Sequence, residues 1–411
     1  MKLPELLIPA GNLEKLRTAL LYGADAVYAG VAGLSLRASA AEFDAADLAT
    51  GVAEAHAGGA KVYAALNIFA KDRDLARLRR VLPELGAMGI DGVILSDPGV
   101  LQTVRQYLPE VPIHLSTQAN TTNTAAVKFW REQGVRRIVL ARELSLAEIG
   151  EIAAAVPEIE VEIFGHGAMC VAYSGRCFLS ALRTGGSANA GECTQPCRWE
   201  YVLTESTRPD QPLRLEEDQR YSYILSSKDL CLIAHLPAIA RAGIASLKVE
   251  GRMKSVYYVA AVTRTYRAAL DALAADPDHY RRLPEWREEL AKISNRGYTT
   301  GFYFRDANEK ITELSPDVKY LQSYDLVGTV LAYEAGARRA LIGVRNHLTR
   351  EDQIELLLPD ATLLLDPRQM TDAEGLPLTV AHNGYRIYLP VDREAPRGAV
   401  IRKKILGVRV P

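Results

Sequence analysis

The sequence predicts an α/β protein: a closed (β/α)8 barrel with a cysteine-rich insertion before its last strand, followed by a small C-terminal β-barrel domain. Three observations carry this expectation. Short runs rich in Val, Ile and Leu alternate with helix-length segments over about 275 residues. Beyond Asp276 the pattern changes to short alternating strands. All five cysteines fall inside one 62-residue window, with none in the flanking 169 and 180 residues.

The strand candidates, in order, are Leu6–Pro9, Ala26–Ala29, Lys61–Leu66, Gly92–Leu95, Pro112–Leu115, Arg137–Leu140, Val161–Phe164 and Ser246–Val249. Each is nearly continuously apolar, as strands are when both faces of a parallel sheet are covered. Closing eight of them into a TIM-like barrel is the economical solution. Residues 281–294 read as a polar helix and RGYTTGFYF, Arg296–Phe304, as an aromatic strand or turn. From about Tyr324, turns such as Glu334–Gly336 and Asn383–Gly384 separate short strands. The expected boundaries are 1–275 for the barrel with its insertion at 165–231, 276–322 for the helical linker and aromatic segment, and 323–411 for the accessory domain.

Chemistry in such a barrel sits at the C-terminal ends of the strands. Those ends carry Asn67, Ser96, Asp97, Ser116, Thr117, Gln118, Asn120, Arg142, Glu143, Glu162, His166, Lys248, Glu250 and Arg252. The insertion lies on that same face, with Cys231 expected to begin the helix before the last strand. Catalytic roles are expected for His166, Glu162, Arg142, Lys248, Glu250 and Arg252, and substrate binding for Asn67, Asp97, Ser116, Gln118, Arg142 and Arg252. Arg142, Lys248 and Arg252 suit carboxylates, Arg by bidentate pairing; the competing reading is that Arg142–Glu143 and Lys248–Glu250–Arg252 are ion pairs closing the barrel top. His166 is a general acid or base, or holds the loop by a hydrogen bond.

Cys170, Cys177, Cys193, Cys197 and Cys231 are spaced C-x6-C, then fifteen residues to a C-x3-C pair, then thirty-three to the last. This is neither a zinc ribbon nor a tight ferredoxin run. It suggests a metal or cluster assembled from separated loops, with Thr184–Gly191 folding the second pair back onto the first. Disulfides compete, but five is odd, and MKLPELLIPAG carries no charged-then-apolar signal segment. No apolar run reaches the length of a membrane helix, so a cytoplasmic protein with no membrane span is expected. Lys plus Arg number 49 against 50 Asp plus Glu, so any RNA must be held by a local patch. Tyr173, Trp199, Tyr201, Tyr221 and Tyr223 either stack splayed bases or pack the insertion, and Arg402–Lys404 with Arg409 either touches phosphate or is a solvated tail. There is no HExxH, GxSxG or papain-like cysteine context for a peptidase, although His166 precedes Cys170 by four residues.

EIFGHGAMCVAYSGRCFLS, Glu162–Ser180, resembles the signature of the collagenase-like peptidase family, whose catalytic type was never assigned. LLIPAGNLEKLRTALLYGADAVYAG, IHLSTQANTTN, RIVLARELSLAEI and SLKVEGRMKSVYYVAAVTRTYRAAL agree, and together cover most of residues 5–270. The C-terminal part is similar more loosely, through RGYTTGFYF and a strand around Arg345–Pro359. The resemblance implies membership of oxygen-independent or prephenate-dependent hydroxylation systems, acting on a tRNA wobble uridine, a ribosomal RNA cytidine or a quinone precursor. It also implies a [4Fe–4S] cluster on Cys170, Cys177, Cys193 and Cys231, with Cys197 spare or exchanging. Length and the KVEGRMKS stretch look most like the tRNA group, which makes tRNA the expected partner and prephenate the expected co-substrate, with a second subunit of the same family possible. The family name keeps peptidase activity as the alternative.

Overall fold

A computed structural model describes residues 2–35, 43–170, 172–190, 192–199, 228–278, 280, 284–304 and 321–405. Tyr201, Tyr221, Tyr223 and Arg409 lie outside the described residues. The chain opens as strands β1 (Glu5–Ala10), β2 (Ala26–Gly30), β3 (Lys61–Ala65), β4 (Gly92–Leu95), β5 (Ile113–Leu115), β6 (Arg137–Val139) and β7 (Glu160–Ala168), each parallel to the next. After β8 (Asp229–Cys231), β9 (Ser246–Val249) inserts between the two edges, where Leu247 is in register with Leu6 of β1 and Ile163 of β7. The result is a closed barrel of eight parallel strands, and all eight expected runs are in it.

Helices α1 (Leu13–Leu21), α2 (Ala45–Ala57), α3 (Asp72–Met88), α4 (Pro98–Tyr107), α5 (Thr124–Glu132) and α6 (Leu146–Ala155) follow the first six strands. Five of them start on a side-chain cap: Asn12, Asp44, Asp97, Asn123 and Ser145 each accept a hydrogen bond from a first-turn amide. This corrects the reading of Asp97. Its carboxylate accepts from the Val100 amide at 3.0 Å and serves the helix.

Inside the barrel the fill is largely polar. Arg137 Nη1 lies 2.6 Å from Glu5 Oε1 and 3.3 Å from Glu162 Oε2, and Lys248 Nζ lies 2.9 Å from Glu162 Oε1. Tyr63 donates to Glu5 at 2.8 Å, and its ring meets His114 edge-on at 4.5 Å. These strands are not all neighbours in the sheet, so their side chains meet only across the interior. Leu7, Ala26, Tyr28, Tyr63 and Ile94 form a separate small apolar cluster, while the large core lies between strands and helices.

Cys231 does not begin a helix. It ends β8, which runs antiparallel to β7 with Asp229 opposite Ala168 and Cys231 opposite His166. A three-residue strand made by long-range pairing has no local periodicity to reveal it. Downstream come α7 (Leu179–Thr184) within the insertion, α8 (Leu236–Arg241), α9 (Val256–Ala275), α10 (Pro284–Lys292) and β10 (Tyr298–Thr299), which pairs with β8.

The C-terminal strands are β11 (Tyr324–Glu334), β12 (Arg339–Val344), β13 (Leu348–Thr349), β14 (Ile354–Leu357), β15 (Thr362–Leu365), β16 (Val380–Ala381), β17 (Arg386–Pro390) and β18 (Val400–Lys404). Six form an antiparallel sheet in the order β15-β14-β18-β11-β12-β17, curled into a half-barrel; β13 and β16 pair apart. The register shifts twice along β11, and Gly328 at the first shift lies so close to β12 that a Cβ would stand 2.2 Å from the Gly343 carbonyl.

Arg402 of β18 corrects the reading of a solvated basic tail. It is fully buried, paired with Glu289 of α10 and 2.6 Å from Glu355 of β14, and donates to the Tyr257 hydroxyl of α9 at 3.1 Å. One guanidinium thus ties the half-barrel to the barrel's last helices. Burial pushes the Glu289 carboxyl up, but Arg402 and Lys292 outweigh it and leave the group below its usual range.

Arg402→Ala strands two carboxylates and should cost about 3–5 kcal/mol in urea unfolding. A second expectation concerns acid. Burial, with Arg137 adding to it, pushes His114 down to about 3. The native state then stays neutral at this site while the unfolded chain takes up a proton below about pH 6.5. Stability is therefore full above that pH and falls as pH drops, by about 1.4 kcal/mol per pH unit for this group. Urea midpoints between about pH 6 and 4 should show His114→Phe with a slope shallower by that amount.

Candidate functional site

The C-terminal ends of the strands and the insertion enclose a cavity of about 390 Å³. From the barrel it is lined by Tyr28, Asn67, Ser116, Thr117, Gln118, Arg142, Phe164, Lys248, Glu250 and Arg252, and from the insertion by Cys170, Cys177, Cys193 and Cys197. Most of the expected binding residues therefore converge.

Each cation is held in place. Arg142 does not pair with Glu143: its guanidinium carbon lies 3.7 Å from the centre of the Phe164 ring, and Nη1 donates to the Ala168 carbonyl at 2.9 Å. Glu143 instead accepts from the Ser174 amide at 2.7 Å and hydroxyl at 2.8 Å. Lys248 rises from the barrel interior on Glu162, with Nζ 4.6 Å from the Tyr28 ring centre. Arg252 Nη1 donates to Ser35 Oγ at 3.1 Å. On the opposite wall Ser116 donates to the Gln118 side-chain oxygen, which also accepts from Asn67 at 3.3 Å. Among the described residues four cations, counting Lys254, line the cavity against the one carboxylate of Glu250.

Glu162 and His166 lie elsewhere. Glu162 is wholly buried beneath the cavity; burial raises its carboxyl, yet Lys248 and Arg137 leave it below the usual range. His166 is 1 % exposed in a cage of Tyr258, Tyr266 and Tyr298, with Nδ1 3.4 Å from the Tyr266 hydroxyl. Burial, then Asp229 in opposition and Lys254, bring it down to about 3. It is neutral at ordinary pH and outside the cavity lining, and its ring is engaged with Tyr266 of α9. Tyr258, Tyr266, Phe164 and Tyr28 were not singled out from sequence, because each sits in a run whose period already explains it as core, and Tyr298 was read only as part of the aromatic segment Arg296–Phe304.

The insertion is folded onto the mouth by local bonds. Gly167, at φ +107°, crosses so near the Glu250 carbonyl that a Cβ would lie 2.4 Å away. Gly185, in the left-handed region, ends α7 and turns the chain back, so that Thr194 meets Ser180 at 3.0 Å and Thr184 at 2.9 Å. This is the reversal expected of Thr184–Gly191, and it sets Cys193 and Cys197 beside Cys170 and Cys177. The protein packed around its sulfur raises the Cys170 thiol although the residue as a whole is exposed, with Cys177 and Cys193 near enough to add to it. Cys231 is not in the cavity lining: its sulfur lies 3.9 Å from the Tyr266 hydroxyl, and burial raises its thiol also. Among the described residues no three Cys, His, Asp or Glu side chains are grouped as for a single metal ion. Four thiols border one cavity, the donor type that an iron–sulfur cluster takes.

No helix among the described residues is long and apolar enough to cross a membrane. The chain is 38% identical to "tRNA hydroxylation protein P" of Escherichia coli K12, over 95% of this chain and 94% of that protein. It is 43% identical to "tRNA hydroxylation protein P1" of Bacillus subtilis 168, over 87% and 84%. It is 39% identical to the "23S rRNA 5-hydroxycytidine C2501 synthase" of Escherichia coli K12, over 72% of this chain and 45% of that protein. Residues 11–313 match Peptidase family U32 and residues 322–402 match the Peptidase family U32 C-terminal domain. The signature around Cys170 and Cys177, the barrel that carries it and the half-barrel behind it are thus one inheritance, and the chain belongs to Peptidase family U32.

Proposed function

We propose that this chain is a cytoplasmic RNA-modification enzyme that hydroxylates carbon 5 of a tRNA wobble uridine, with a [4Fe–4S] cluster as cofactor and prephenate as hydroxyl source. The carrying observation is one cavity bordered by four thiols and four cations, in a chain that aligns end to end with proteins named for tRNA hydroxylation. The reading leaves room for a second subunit of the family.

Prephenate carries two carboxylates, and Arg142 and Arg252 are the groups suited to them, because a guanidinium offers paired donors. Lys248, fixed by Glu162, adds positive charge at the cavity floor. Asn67, Ser116 and Gln118 present amide and hydroxyl groups to the carbonyl and N–H edge of a uracil. Cys170, Cys177 and Cys193 would hold the cluster, with Cys197 or Cys231 as the fourth ligand. When bound, the cluster supplies the one-electron chemistry that no side chain has.

Proteolysis is less well supported. A cysteine nucleophile needs a thiol pulled down and a base beside it. Here the Cys170 and Cys231 thiols are pushed up, and neutral His166 is engaged with Tyr266.

Protein purified without oxygen should hold about four irons per chain, and Cys170→Ala and Cys193→Ala should each lose them. Mass spectrometry of tRNA nucleosides from a strain lacking this chain should find 5-hydroxyuridine restored by the wild type and by neither variant. Unmodified tRNA beside a restored ribosomal hydroxycytidine or quinone would move the substrate. A colourless, iron-free protein that cleaves peptides would overturn the reading. The resemblance expects iron loss in Cys231→Ser and the cavity lining expects it in Cys197→Ser; the iron content of the two variants decides the fourth ligand.

A further inference from the structure

Next to the cavity-lining residues Ser174, Cys177, Leu179 and Ser180 the chain carries large apolar side chains left open to solvent. Leu182 is 80% exposed, Phe178 74% and Tyr173 53%. Their backbone is nonetheless tied down. Glu143 grips Ser174 at φ +45°, next to Tyr173, and Thr194 grips Ser180 and Thr184 on either side of Leu182. The exposure belongs to a built surface.

Charge shows what that surface fits. Residues 172–199 contain three arginines and a single carboxylate, Glu192. Arg176 and Arg183 are exposed beside the apolar groups. Arg176 is braced against the cavity wall: its Nε donates to the Gln118 carbonyl at 2.9 Å, and its guanidinium carbon lies 5.6 Å from the centre of the Phe69 ring. Aromatic faces interleaved with arginines are the chemistry that holds unpaired nucleic acid, the rings stacking bases and the guanidiniums meeting phosphates. The cavity lies within the barrel mouth, where a base still stacked in a duplex cannot reach.

We propose that the face formed by Tyr173, Arg176, Phe178, Leu182 and Arg183 seats an unpaired stretch of RNA and stacks the bases flanking the one that enters the cavity. This rests on the RNA-modification reading above.

Fluorescence anisotropy with labelled single-stranded oligouridylate, and with the same strand paired to oligoadenylate, tests it on the full chain. The wild type should prefer the single strand. Phe178→Ala and Leu182→Ser, and separately Arg183→Glu, should each weaken single-strand binding, by about tenfold where a stacked base is lost. Iron content and melting temperature should not change, since these side chains are exposed. If the variants bind as the wild type does, the surface assignment is overturned while the RNA reading stands. If the variants lose self-association and keep their RNA affinity, the face is a protein interface and the assignment is likewise overturned. If the wild type binds neither strand, both the assignment and the reading beneath it fail.

Discussion

Glu162 is the group on which the site depends. It is wholly buried, and an isolated carboxylate there would be expensive. Arg137 at one end of the barrel and Lys248 at the other neutralise it, and Glu5 and Glu160 complete the coordination of Arg137. Such networks add little net stability over an apolar fill, because desolvation offsets most of the attraction. What this one provides is placement. Lys248 sits opposite Leu7 and Phe164 in the β9 register, and the Glu162 bond holds its ammonium in the middle of the cavity floor.

The second constraint is the pairing of β8 with β7. Ala168 and Asp229 are partners across an antiparallel ladder, so the insertion leaves β7 and returns to the same strand. Asp229 is itself locked by a buried bond to Arg296 at 2.6 Å, and β10 extends the ladder through Tyr298. Both ends of the cysteine-rich segment are thereby pinned over the barrel mouth. Four of the five cysteines, from Cys170 to Cys197, then converge on the cavity, while Cys231 at the end of β8 does not line it.

Much of this was legible in the sequence. The eight strand runs were readable because parallel strands covered on both faces are short and apolar, and Gly92–Leu95 and Ser246–Val249 coincide with the observed strands to the residue. The convergence of Asn67, Ser116, Gln118, Arg142 and Arg252 followed from strand ends alone. What pairs with what was not readable. Arg142 sits beside Glu143 in sequence, but both lie in the turn after β6, where one meets Phe164 and the other Ser174. Asp97 looked like a site residue and is a helix cap, since both roles ask for a carboxylate just after a strand. Arg402 looked solvated because its partners Glu289 and Glu355 lie 113 and 47 residues away.

The electrostatics of the two compartments point in opposite directions, and that contrast bears on the chemistry. Behind β7, His166, Cys231, Tyr258, Tyr266 and Tyr298 are buried groups kept neutral, the histidine by a lowered pKa and the thiol and phenols by raised ones. Nothing there is poised to exchange a proton near neutral pH. In front, the cavity collects positive charge beside four thiols. A site for acyl transfer needs a base able to take a proton at the nucleophile, and His166, the histidine within the signature, has been removed from that role by burial. A site that receives an anionic co-substrate and a base drawn from an RNA loop needs fixed cations, an edge of amides and hydroxyls, and thiolates for a cofactor that moves electrons. The barrel mouth holds fixed cations, amides, hydroxyls and four thiols, which supports the second set as the proposed reading.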